Sequence, residues 1–182
     1  TRMREWTSGF FPGTLWYLYE LSGDEMWMLE ATMWTEALDS LKTYTGTHDL
    51  GFMIYCSFGN ADRLAPSQEY KDVILEASDA LMTRYNPNAK TINSWNGYMD
   101  WDTTRFAHPV IIDNMMNLEM LFAASKLSGD KKYYDVAVNH ADATLANHFR
   151  EDFSTYHVVG YDVETGEVLG GRTHQGYSDN ST

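Results

Sequence analysis

The chain has 182 residues, 43% of them hydrophobic, which is enough to bury one sizeable core and short enough to read as a single domain, 1–182. Its formal net charge of −13, with no clustered stripe of Lys and Arg, excludes a nucleic-acid partner or an anionic membrane surface, since both reward basic patches. Cys56 is the sole cysteine, so no internal disulfide can form, and no apolar run approaches the roughly 18 residues a membrane helix needs.

Gly9, Pro12 and Gly13 precede an apolar run that predicts a first helix over Pro12 to Leu21, broken by Ser22-Gly23-Asp24. A second helix is predicted from Asp24 to Tyr44, with Met28, Ala31, Trp34, Ala37, Leu38 and Leu41 at helical spacing. Asp49 to Phe58 reads as a third, Gly59 to Pro66 as a connection, and Ser67 to Tyr85 as a fourth carrying Val73, Ile74, Ala77, Ala80 and Leu81 on one stripe. Asn86 to His108 reads as a long loop whose Trp95, Tyr98 and Trp101 argue for order and function.

Pro109, with its fixed φ and missing N–H, predicts the start of a fifth helix. That helix ends at Leu127-Ser128-Gly129-Asp130, repeating the Leu21-Ser22-Gly23-Asp24 punctuation, and a sixth spans Asp130 to Phe149 with His140 and His148 expected to face outward. Recurrence of one helix-turn-helix unit predicts stacked antiparallel helical hairpins. Thr155 to Tyr161 and Glu167 to Leu169 flank a turn through Glu164-Thr165-Gly166 and predict a small β-hairpin.

On the fifth helix, Asp113, Asn114 and Asn117 share a flank away from Glu119 and Lys126, and nearly every other position is apolar. The pattern predicts a buried helix with a polar notch at its start. An unpaired charge in apolar surroundings costs several kcal/mol, so Asp113 either caps its own helix or does chemistry. Taken singly, Asp49 reads as a helix cap, His48 as a core histidine, His157 as a hairpin residue and Trp6 as packing. The six histidines form no HExxH pair and there is no cysteine cluster, so neither a metal site nor a cofactor is expected.

Four short pieces nevertheless line up: WTSGFFPG from Trp6, HDLGF from His48, IIDNMMN from Ile111, and STYH followed by THQGYSDNS. Together, in order along the whole chain, they resemble the unsaturated glucuronyl hydrolases of glycoside hydrolase family 88. The resemblance implies an all-α (α/α)6 toroid, represented here by about three helical hairpins and the small β-hairpin, and hence the N-terminal half of a larger ring whose remainder would lie outside these residues. It implies a bacterial protein of the cytoplasm or periplasm, without a cofactor. Its partner would be a lyase-generated oligosaccharide with a non-reducing-end 4,5-unsaturated uronic acid.

By the same resemblance, Asp113 matches the general acid/base and Asp49 the second carboxylate. His157 and Gln175 map to active-site positions, and Trp6 and His48 to the substrate cleft. Trp95 maps to a further cleft tryptophan, with Trp101 as the other possibility, and Asn114 falls among the substrate-binding residues. The substrate is an enol ether: protonation at C4 places positive charge on C5, water adds there, and the resulting hemiketal opens to release the aglycone. One carboxyl group can give the first proton and later take the water's proton. Two readings stand beside this one, an unsaturated rhamnogalacturonyl hydrolase of the same fold and a non-catalytic helical scaffold binding glycan or protein.

Overall fold

A computed structural model describes residues 2–97, 99–101 and 104–173. After a 3-10 turn at Trp6–Gly9 come α1 (Phe10–Ser22) and α2 (Glu25–Glu36), packed against each other as a hairpin, with a further 3-10 turn at Asp39–Leu41. A π-helix, Gly51–Gly59, runs directly into α3 (Asn60–Leu64) and packs against α4 (Gln68–Met82). The last hairpin is α5 (Leu118–Ser128) with α6 (Lys131–Asn147), and α5 enters from a 3-10 helix at Ile112–Asn117. Among the described residues no helix is long and apolar enough to cross a membrane.

The repeated Leu-Ser-Gly-Asp punctuation is structural. Gly23 (φ 68°) and Gly129 (φ 73°) end α1 and α5 in the left-handed conformation that glycine adopts without strain. Ser22 and Ser128 then accept the backbone N–H of Asp24 and Asp130, and those aspartates cap α2 and α6 through the N–H groups of Met26 and Lys132. Two copies of one turn thus set two hairpins. The main core lies between the helices, around fully buried Trp16, Phe58, Ile74, Leu81 and Met120.

Four elements differ from the sequence reading. The second helix is shorter than predicted, α2 closing at Glu36, and the predicted connection Gly59 to Pro66 begins as helix, since α3 continues the π-helix to Leu64. The predicted long loop contains two short hairpins, β1 (Tyr85–Asn86) with β2 (Thr91–Ile92), and β3 (Met99–Trp101) with β4 (Thr104–Phe106). Pro109 does not start a helix. It lies in β5 (His108–Ile111), which pairs antiparallel with β6 (Val158–Tyr161), and β6 in turn pairs with β7 (Val168–Arg172). The predicted β-hairpin is therefore present as two strands of a three-stranded sheet.

The short strand β2 packs against α6, and the sheet meets the end of that helix at His148. His140 and His148 are both fully buried instead of facing outward. His140 Nδ1 accepts the Ile92 N–H at 3.0 Å, and His148 Nε2 donates to the Val110 carbonyl at 3.0 Å. Strands from the loop and the sheet, invisible to a helical-period analysis, make that face of α6 interior.

Candidate active site

Asp113 sits in the first turn of the 3-10 helix, directly after β5. Its approach is held by the N–H of Ile112 donating to the His157 carbonyl at 2.9 Å, so the β5–β6 pairing brings His157 alongside the Asp113 segment. Asp49 lies just ahead of the π-helix, where its backbone carbonyl accepts the N–H of Met53 at 3.0 Å. The Thr47 hydroxyl donates to the Asp49 carboxylate at 2.5 Å and accepts the Asp49 N–H at 3.1 Å.

Gly51 lets the two segments meet. A Cβ there would lie 2.7 Å from Asn117 Oδ1 and 2.8 Å from both Asn117 Cα and the Met116 carbonyl oxygen. Any side chain would push the Asp49 and Asp113 segments apart. The Gly51 N–H donates to Asn117 Oδ1 at 2.8 Å, so Asn117 takes the capping role at this helix start and the Asp49 carboxylate is turned elsewhere.

His48 stands between the carboxylates. Its Nε2 lies 3.2 Å from Asp49 Oδ1 and 3.2 Å from Asp113 Oδ1, although His48 and Asp113 are 65 residues apart in sequence. His48 is buried, whereas the Asp113 side chain is 42% exposed and that of Asp49 21%. Asp113 is thus less buried than the polar-notch reading expected: Asn114 and Asn117 occupy the interior of the notch and Asp113 faces solvent. Asn114 Nδ2 donates to the Ile92 carbonyl at 2.7 Å and to Ser94 Oγ at 3.0 Å, and its Oδ1 accepts from Asn117 at 2.8 Å. Expected among the substrate-binding residues, Asn114 lies beneath the surface with its amide fully engaged.

The aromatic candidates flank the cluster. The Trp95 ring meets His48 edge to face, with centroids 6.1 Å apart. Trp6 is 51% exposed and packs edge-on against Phe10 and Phe52, each at 5.7 Å, which places it over the start of the π-helix that follows Asp49. Gln175 lies outside the described residues.

Sequence reasoning passed over Ser94 and Arg84. Buried Ser94 accepts the Ile111 N–H on its Oγ at 2.8 Å, and its N–H donates to the Pro109 carbonyl at 2.9 Å. Its carbonyl accepts from His48 Nδ1 at 2.7 Å and from Arg84 Nη2 at 3.1 Å. Arg84 also donates to the carbonyls of Asn93 and Thr45, and burial pulls its pKa below the ordinary arginine value. The only sequence signal for Ser94 was its place beside Trp95.

Among the described residues, His48, Asp49 and Asp113 are the group whose donor atoms come close enough to hold a metal ion, all lying within 4.8 Å of one another. The expectation of no metal rested on sequence spacing, which cannot see a group assembled from two segments. His48 Nε2 already contacts both carboxylates, so the arrangement is self-partnered as it stands.

Fold and site together define an α/α-hairpin protein that presents two carboxylates around a buried histidine, flanked by tryptophans. No family model matches the sequence. The chain is 50% identical over 181 residues to an unsaturated glucuronyl hydrolase of Formosa agariphila, covering 98% of this chain and 44% of that protein. It is 36% identical to an unsaturated chondroitin disaccharide hydrolase of Streptococcus pyogenes, with 97% and 44% covered. Its fold superimposes with a TM-score of 0.92 on a crystal structure of an unsaturated glucuronyl hydrolase specific for heparin, at 46% identity over 99% of this chain and 47% of that one. The close homologues of this chain are therefore unsaturated glucuronyl hydrolases, whose α/α-toroid fold its helical hairpins share, and it spans about 44% of the length of the curated relatives it matches.

Proposed function

We propose that this chain carries the catalytic carboxylates of a glycoside hydrolase acting on oligosaccharides with a non-reducing-end 4,5-unsaturated uronic acid. The observation that carries this reading is the meeting of Asp49 and Asp113, from separate segments, on one histidine nitrogen. The names of the relatives speak of unsaturated glucuronyl and unsaturated chondroitin disaccharide substrates, and the family resemblance of the sequence motifs supplies the 4,5 position and the lyase origin.

Asp113, the more exposed carboxyl, gives its proton to C4 of the enol ether; the π electrons leave a cation at C5 shared with the ring oxygen. Water adds at C5 and returns its proton to Asp113, and the hemiketal opens to release the aglycone. Asp49 places a second negative charge beside the developing cation. Because the bond made first is C4–H, the separation rule for inverting and retaining glycosidases does not apply. Trp6 and Trp95 offer apolar ring faces to the sugars, His157 and Gln175 complete the substrate contacts, and the rest of the toroid supplies the far wall of the cleft.

Incubation of a full-length protein carrying these residues with lyase-generated disaccharides from several polysaccharides tests the assignment. Loss of the ultraviolet absorbance of the unsaturated uronate is expected, with deuterium at C4 when the reaction runs in heavy water. A product without that label, or equal activity on saturated glucuronides, would replace the hydration mechanism with ordinary glycosidic cleavage.

A further inference from the structure

A backbone carbonyl can only accept, so the 2.7 Å contact between His48 Nδ1 and the Ser94 carbonyl requires a proton on Nδ1. A neutral imidazole carries one N–H, and His48 spends it on that bond. Its Nε2 is then a bare acceptor facing two groups, Asp49 and Asp113, that accept only when ionised. Three acceptors cannot hydrogen-bond to one another. The cluster therefore needs one more proton, carried on Nε2 or on a carboxyl oxygen.

We propose that Ser94, held by Arg84, is a positioning residue that fixes His48 as an Nδ1–H donor and so obliges the Asp49–His48–Asp113 cluster to store the one proton that Asp113 delivers. The proposal rests on the hydrolase reading above. The proton balance closes over a cycle: the cluster, net charge −1 with the proton, loses it to C4 and becomes −2, then regains it from the water that adds at C5. In the first step the Asp113 O–H bond breaks and the C4–H bond forms. In the second the water O–H bond breaks and the Asp113 O–H bond reforms, and His48 ends unchanged.

Ser94 serves both halves of this arrangement. Its carbonyl sets the histidine, and its hydroxyl, through the Ile111 and Asn114 N–H groups, sets the strand-to-helix junction that aims Asp113. Arg84 accounts for the rigidity of the carbonyl, pinning Asn93, Ser94 and Thr45 with three separate donors. The charged and titratable groups around His48 are Asp49 on its own loop, Asp113 on the 3-10 helix and Arg84 at the end of α4, with His140 of α6 behind. Burial lowers the His140 pKa to about 3, so it stays neutral at working pH and does not compete for the proton.

Two measurements on the same full-length protein test the proposal. Nitrogen-15 NMR of the histidines, without substrate, should show His48 Nδ1 protonated across the whole pH range in which the protein is folded. An unprotonated Nδ1 overturns the proposal whether or not the enzyme reading holds. His48→Gln can still touch the carboxylates through its amide but cannot store a proton. It should lower kcat by about 10- to 100-fold and shift the acid limb of the pH profile, with KM within about threefold. A profile superimposable on the parent's, with kcat unchanged, would overturn the storage role. A parent inactive on every unsaturated disaccharide would instead refute the hydrolase reading and leave the NMR result standing.

Discussion

Replacing Asp113 by Asn keeps the shape of the side chain and its contact with His48 Nε2 but removes the transferable proton. Turnover should fall by about 100-fold or more while KM changes little, measured as ultraviolet loss on a lyase-generated disaccharide. Activity within about tenfold of the parent would remove Asp113 from the proton-donor role. A second residue-scale effect concerns stability. Burial lowers the pKa of His108 from 6.5 to about 4 and of His140 to about 3, and pushes His148 in the same direction. Between those values and pH 6.5 the unfolded chain binds protons that the folded chain refuses, so stability falls as pH drops through that window and is regained above it. The loss should be on the order of a few kcal/mol by pH 4, read from urea midpoints, and His140→Leu should flatten the slope. An unchanged midpoint between pH 7 and 4.5 would mean the histidines are not buried neutral. Asp113 and Asp49 could be singled out as candidates because their motifs are local, and the structure brings the two together at His48. Ser94 and Arg84 were not, because they act on backbone carbonyls from distant loops and leave no spacing to detect.

At the scale of elements, the junction between the π-helix and the 3-10 helix is the tightest constraint on the site. Gly51→Ala would force a Cβ to within 2.8 Å of Asn117 and Met116 backbone atoms. Overpacking of this kind costs about 1–3 kcal/mol, and here the displaced group is the helix that aims Asp113, so kcat should fall along with the urea midpoint. Stability and rate both equal to the parent's would show that this helix can shift without penalty. Helix identity and the hairpin turns were readable because α1 with α2 and α5 with α6 carry their own caps and period. The state of Pro109 was not. Its fixed φ suits both a helix start and an extended strand, and the deciding fact is a partner, Gly160, from a strand much later in the chain. The helix that continues the π-helix past Gly59 was missed for a related reason: glycine reads as punctuation, yet packing against Tyr55 occupies that turn.

At the scale of the molecule, what is left uncovered tells how the chain should behave alone. Ile111 and Leu118 are both buried, but Met115 and Met116 beside the site are about two-fifths exposed. The larger apolar surface is on the first hairpin, where Leu21 is 84% and Leu29 68% exposed and Phe11, Tyr17, Met26 and Met33 are each about half uncovered. Monomeric proteins rarely present contiguous apolar patches beyond a few hundred Å², and six large apolar side chains left half or more uncovered on one packed helical hairpin call for a further helical layer or a second copy. The net charge of −13 opposes indiscriminate collapse, so discrete self-association is expected before precipitation. A 182-residue polypeptide of this sequence should therefore sediment as a dimer or larger species at micromolar concentration and dissociate in mild detergent, and its rate on unsaturated disaccharides should lie far below that of the full-length relatives. Salt screens the repulsion without weakening the apolar contact, so raising it should drive association further. A monodisperse monomer with full activity would mean that Asp49, His48 and Asp113 form a complete site on these hairpins alone.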